Sequence, residues 1–122
     1  SLSAFIKQNY GNGYYAFITK FITKSSLSVR HFVPFLFVIF LSITIFFKFY
    51  EVMIYKYEIV NLFSYPILYL YFILNFYFSL KNSEKLGFKY FLSLFFLTPI
   101  LHISYGLGTI FGVFKIFEEL ID

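Results

Sequence analysis

The chain has 122 residues, 60% of them hydrophobic and only 13% charged, with a formal net charge of +4 and no cysteine. A soluble domain carries about 25% charged residues, so a single water-soluble globule is excluded. Nucleic-acid binding, which needs a solvated basic surface, is excluded with it. Missing cysteines remove disulfides and thiolate metal sites. The 21 Phe and 12 Tyr come with abundant Ile, Lys and Asn and no Trp, a pattern of coding bias rather than an aromatic binding box.

Residues 1–30 are mixed in polarity and form a juxtamembrane segment. From Tyr10 onward, Tyr10, Tyr14, Phe17, Ile18 and Phe21 recur at helical spacing, with Ala16, Thr19, Lys20 and Thr23 opposite. The tandem FITKFITK, Phe17–Lys24, sets two lysines one turn apart. An aromatic face with a basic flank predicts an interfacial amphipathic helix over anionic lipid, anchored by Lys20, Lys24 and Arg30. The competing reading is a connecting helix packed on neighbouring protein. Gly11 and Gly13 each weaken a helix by about 1 kcal/mol relative to Ala, which predicts a break near Asn12. Ser25, Ser26 and Ser28 predict the next hinge.

Three apolar stretches fill residues 31–122, with spans expected at about 31–50, 59–80 and 90–115. Pro34 falls in the first turn of the first span, where its missing N–H matters little. The second span holds Asn61 and Asn75, and an amide in lipid is expected to bond a neighbouring helix. Glu51–Glu58 and Lys81–Lys89 are connections, the latter with a break at Gly87. Glu118, Glu119 and Asp122 close the third span in water. Lys7, Lys20, Lys24 and Arg30 precede the first span, and Lys81, Lys85 and Lys89 separate the second from the third. Lys48, Lys56 and Lys115 fall on the other side with most of the acids. Basic residues accumulate on the cytoplasmic side, so the N-terminus is expected inside and the C-terminus outside. The fold class is therefore an all-α membrane protein: an interfacial helix and three transmembrane helices. A fourth crossing at Tyr14–Ile22 would be too short and would carry Lys20.

His102 is the one ionisable side chain deep in a span, a position where proton relay, phosphate binding and simple helix packing all compete. No second ionisable group completes a relay, and His31 lies at the far edge of another span, which leaves no metal ligand set. Ser104, Gly108 and Gly112 repeat at i, i+4, i+8, a small-residue stripe that predicts a close partner helix: the first or second span, or another protein. Gly106 sits on another face. These glycines follow no strand and precede no Lys-Ser/Thr, so they form no phosphate loop. Asp122 is the sole Asp, and Glu118 and Glu119 are adjacent and terminal, so no catalytic carboxylate pair exists.

The order of parts resembles a known family. Phe5–Tyr14 (FIKQNYGNGY) precedes Ser26–Pro34 (SLSVRHFVP), and the last span carries His102-x-x-Tyr105-Gly106-x-Gly108-x-x-x-Gly112. This looks like the C-terminal membrane region of bacterial family 2 glycosyltransferases of the succinoglycan- or exopolysaccharide-synthesis type. The resemblance implies an upstream cytosolic domain that binds a nucleotide-sugar with a divalent metal, Mg or Mn, and a tail that anchors it in the inner membrane beside a lipid-linked or polysaccharide acceptor. It implies no catalytic residue, metal ligand or cofactor in this chain, which is expected to be the tail of a longer protein. Gln8 takes the place of the Gln in the family's Gln-x-x-Arg-Trp motif. Gly11 and Asn12 stand where Arg and Trp would be, a departure that speaks against a processive synthase with a long channel. Gln8, Tyr10, His102 and Tyr105 are the acceptor-side candidates. The alternative is a small self-standing membrane protein or transporter subunit that oligomerises through the Ser104–Gly108–Gly112 stripe.

Overall fold

The computed structural model describes residues 1–24, 29–54 and 59–122, with side-chain surroundings for 1–24, 32–50 and 64–122. Among the described residues there are four α-helices and no strand: α1 (Leu2–Thr23), α2 (Val29–Ile54), α3 (Ile59–Ser83) and α4 (Phe88–Ile121). The all-helical expectation holds. Two helical stretches, Phe32–Tyr50 and Phe88–Ile121, are long and apolar enough to cross a membrane. The 34 residues of α4 extend about 51 Å, well beyond a hydrocarbon core of roughly 30 Å.

Helix boundaries depart from the sequence reading in two places. α1 starts at Leu2 rather than Tyr10, with the Ser1 side chain accepting a hydrogen bond from Ala4 N at 3.2 Å as its N-cap. It then runs unbroken through Gly11 and Gly13, so the break expected near Asn12 is absent. Tertiary contact at Gly13, described below, overrides the propensity. α2 begins at Val29, which places Pro34 inside the helix, and it continues through Ile54, taking in half of the expected Glu51–Glu58 connection. The serine hinge (Ser25, Ser26, Ser28) and Tyr55–Glu58 lie outside the described residues, as do the side chains of Arg30, His31 and Asn61.

Between α3 and α4 the expected break at Gly87 is present. Leu86 N and Gly87 N both donate to Ser83 O, at 3.0 and 3.1 Å, and Gly87 adopts φ +97°, a conformation open to glycine without steric penalty.

The chain divides into two units, residues 1–39 with 99–122, and residues 40–98. In the first, the backbone of α1 lies against α4, with Tyr10 O facing Gly108 and Tyr14 O facing Gly112. A step of four residues along one helix matches a step of four along the other, so the two run parallel. α2 also packs on α4, with Pro34 and Val38 against Gly106 and the Phe37 ring 6.1 Å from His102.

In the second unit, Phe76 packs edge-on to Phe91 at 5.2 Å and to Phe95 at 6.2 Å. Residue 99 is proline, so its nitrogen has no hydrogen to offer the Phe95 carbonyl one helical turn earlier. Asn75 Nδ2 donates to that carbonyl at 2.9 Å, while Ser79 Oγ lies 3.4 Å from Asn75 Oδ1. The amide expected to reach a neighbouring helix does so, and it replaces the bond that proline removed.

Burial is inverted relative to a soluble protein. Ser64, Asn75, Ser79, Ser83, Ser104 and Thr109 are buried, whereas the buried hydrophobics among the described residues are Val38 and Phe91. Ile45, Phe49, Tyr69, Phe96 and Phe114 are 63–69% exposed. Small and polar residues draw the helices together while large apolar ones point outward, the arrangement of helices packed in lipid. The hydroxyls are satisfied locally: Ser93, Thr98 and Ser104 each donate to the carbonyl four residues back, at 2.7–2.9 Å.

Candidate functional site

The small-residue stripe of α4 has its partner within the chain. A Cβ at Gly108 would stand 2.0 Å from Tyr10 O, and one at Gly112 would stand 2.4 Å from Tyr14 O. Only a hydrogen at these positions lets two backbones come so close. The helix lying on the stripe is α1, rather than the first or second span. Gly13 supplies the matching gap on α1, since a Cβ there would meet Tyr105 O at 2.0 Å. Thr109, fully buried, donates within the seam, its Oγ1 lying 3.3 Å from Gly13 O and 3.1 Å from Tyr105 O. Ser104, the third member of the stripe, is buried and bonds back to Ile100 O.

This contact changes what the aromatic face of α1 does. Tyr10 stacks near Tyr14 and Phe111, at centroid distances of 6.3 and 6.2 Å, and Phe17 packs against Phe32 and Phe35 at 5.7 and 6.1 Å. The residues assigned to lipid by periodicity are spent on α2 and α4. Only the end of the face, with Phe21 53% exposed, stays open.

The four acceptor-side candidates part into two pairs. Gln8 and Tyr105 line one open groove of about 580 Å³, together with Lys7, Gly11, Asn12 and Lys20. Tyr10 points instead into the α1–α4 seam, and His102 lies half-buried against the Phe37 ring of α2. Of the anchor candidates, Lys20 is half-buried on the groove, Lys24 ends α1 in a left-handed C-cap (φ 55°), and Arg30 lies outside the described side chains.

Sequence reasoning does not assign Gly13, Thr109 or Lys7 to this site. The glycine was read as a helix breaker because its partner surface lies 92 residues away in the chain. A threonine one turn beyond Tyr105 inside an apolar helix was the available hint. The groove offers amides, phenols and ammonium groups. Among the described residues no three His, Cys, Asp or Glu side chains gather where they could hold a metal.

No family model, curated protein or solved structure matches this chain.

Proposed function

We propose that this chain is the membrane anchor and acceptor-side portion of a family 2 glycosyltransferase, with the sugar-transferring domain outside it. α2, α3 and α4 are its three spans, and Ser1 lies on the cytoplasmic side of a bacterial inner membrane. The membrane part of the reading rests on the inverted burial, with serines, threonine and asparagine inside and phenylalanine, leucine and isoleucine outside.

The enzyme part rests on one observation. The residues that carry the family resemblance, far apart in sequence, meet in a single unit. Gly13 lies under Tyr105, Gly106 under Pro34, Gly108 under Tyr10, and Gln8 shares a groove with Tyr105. An anchor built this way fixes α1, the segment an upstream domain would emerge from, to the last span. Held so, the catalytic domain stays against the inner leaflet, where a lipid-linked acceptor presents its sugar end. α1 lying on the glycine stripe favours the anchor over the alternative, a self-associating small membrane protein or transporter subunit.

The test is the native polypeptide. Intact mass and the reading frame ahead of Ser1 should reveal an additional mixed α/β domain of roughly 200 residues, and membranes carrying it should transfer sugar from a nucleotide-sugar to a lipid-extractable acceptor. A native chain with no such domain would sink the glycosyltransferase reading.

A further inference from the structure

The pairing of α1 with α4 carries a charge to the middle of a helix long and apolar enough to cross a membrane. Tyr105 lies at the midpoint of α4 (Phe88–Ile121), and Lys7 lines the same groove as Tyr105. The four methylenes of a lysine reach about 6 Å, whereas headgroups begin roughly 15 Å from the midplane. Lys20 is placed differently. By the step that sets Tyr10 on Gly108 and Tyr14 on Gly112, it comes about level with Glu118, near the end of α4. The acids of this unit are Glu118, Glu119 and Asp122, and Glu118 stands about 20 Å along the axis from Tyr105. Lys7 therefore has no acid at its own depth. Lys7, Gln8 and Asn12 are exposed and make no hydrogen bond or ion pair with another described residue. Gly11 follows Lys7 by one turn on the same face, and a Cβ built there would meet nothing within 4 Å. Unlike Gly13, it serves no contact among the described residues, yet it weakens α1.

We propose that this face of α1 docks a transmembrane helix carrying a carboxylate, Asp or Glu, near its middle. The notch at Gly11 admits the partner's backbone, the carboxylate meets the Lys7 ammonium one turn away, and the Gln8 and Asn12 amides bond polar groups beside it. Charge complementarity names the occupant. An unpaired ammonium at mid-membrane depth is costly and is relieved by an anion delivered at the same depth, which a membrane helix can bring. The same unit of a second copy has its acids at Glu118, Glu119 and Asp122, so pairing two such units does not supply the counter-charge. The inference rests on the membrane half of the proposed function and is independent of sugar transfer.

The probe is a synthetic leucine–alanine transmembrane helix with one Glu at its centre, compared with versions bearing Gln, Leu or Lys there. The full chain, labelled through Glu119→Cys, is reconstituted with the labelled probe in phosphatidylcholine vesicles, and energy transfer reads their association. The parent chain should bind the Glu helix about 5- to 30-fold more tightly than the Leu helix, the range for one interhelical polar contact in model membrane peptides. Lys7→Leu should remove that preference, and Lys7→Glu should transfer it to the probe with a central Lys. Gly11→Leu, whose Cβ meets nothing within 4 Å, should weaken binding of the Glu helix while leaving helix content unchanged. Equal binding of the Glu and Gln helices would overturn the proposal, because amides alone would then suffice. So would a preference that survives Lys7→Leu, or one that Gly11→Leu leaves untouched. A chain that fails to enter the vesicles would bring down the membrane reading, and this inference with it.

Discussion

Gly11 and Gly13 lie two residues apart on α1, carry the same intrinsic helix penalty, and should respond oppositely to alanine. At Gly11 the new methyl meets nothing within 4 Å, so Gly11→Ala gains the propensity difference of about 1 kcal/mol. At Gly13 the methyl would stand 2.0 Å from Tyr105 O and 2.8 Å from Tyr105 C, both backbone atoms that cannot rotate away. Restoring ordinary contact at 3.4 Å requires α1 to retreat by 1.4 Å, the difference between the two distances. That retreat stretches the 3.3 Å bond from Thr109 Oγ1 to Gly13 O past bonding range and opens the seam at Gly108 and Gly112. Overpacking of this kind is worth about 1–3 kcal/mol, and the lost hydrogen bond up to about 1 kcal/mol more. Net of propensity, Gly13→Ala should destabilise the docking of α1 by about 1–3 kcal/mol. Unfolding in mixed micelles with rising dodecyl sulfate, followed by circular dichroism, reads both variants on one scale. Shifts of the same sign and size would refute the close contact and leave helix propensity as the only effect.

Asn75→Leu should destabilise the second unit by about 0.6–1.7 kcal/mol through the bare Phe95 carbonyl, and Pro99→Ala should remove most of that loss by supplying an N–H in the helix. Additive effects in this double-mutant cycle would refute the substitution of one donor for the other. Thr109→Val keeps the shape but loses the bond to Gly13 O across the seam and the one to Tyr105 O within α4, and should lower stability by about 1 kcal/mol in the same assay; an unchanged midpoint would show that the hydroxyl contributes nothing. Charge reversal at Lys20 and Lys24 should weaken seating of α1 on anionic vesicles but not on zwitterionic ones, read by labelling from lipid-borne probes; unchanged proximity counts against electrostatic anchoring. The native chain has no cysteine, so single cysteines at Ser3, Lys85 and Glu119 report topology directly. An impermeant maleimide should sort Ser3 with Lys85 and leave Glu119 on the other side; Lys85 and Glu119 labelling together would refute the three-span arrangement.

What the sequence determined by itself is the class of the protein and most of its helices. An apolar composition with few charges and long uninterrupted apolar stretches favours helices, which pair every backbone group inside their own segment. The α3–α4 break at Gly87 and the small-residue stripe of α4 were legible because both depend on local steric facts. The tertiary structure decided who uses those features. Periodicity could show that Tyr10, Tyr14 and Phe17 share a face, but lipid and protein offer an aromatic side chain similar apolar surroundings, so it could not tell which covers that face. The same limit applied to Gly13, whose local effect is to weaken a helix and whose actual role depends on a carbonyl at Tyr105. Asn75 was recognisable as an amide in need of a partner. That the partner is the Phe95 carbonyl vacated by Pro99 follows only when α3 and α4 are side by side, since hydrogen-bond complementarity between distant segments leaves no period in the chain.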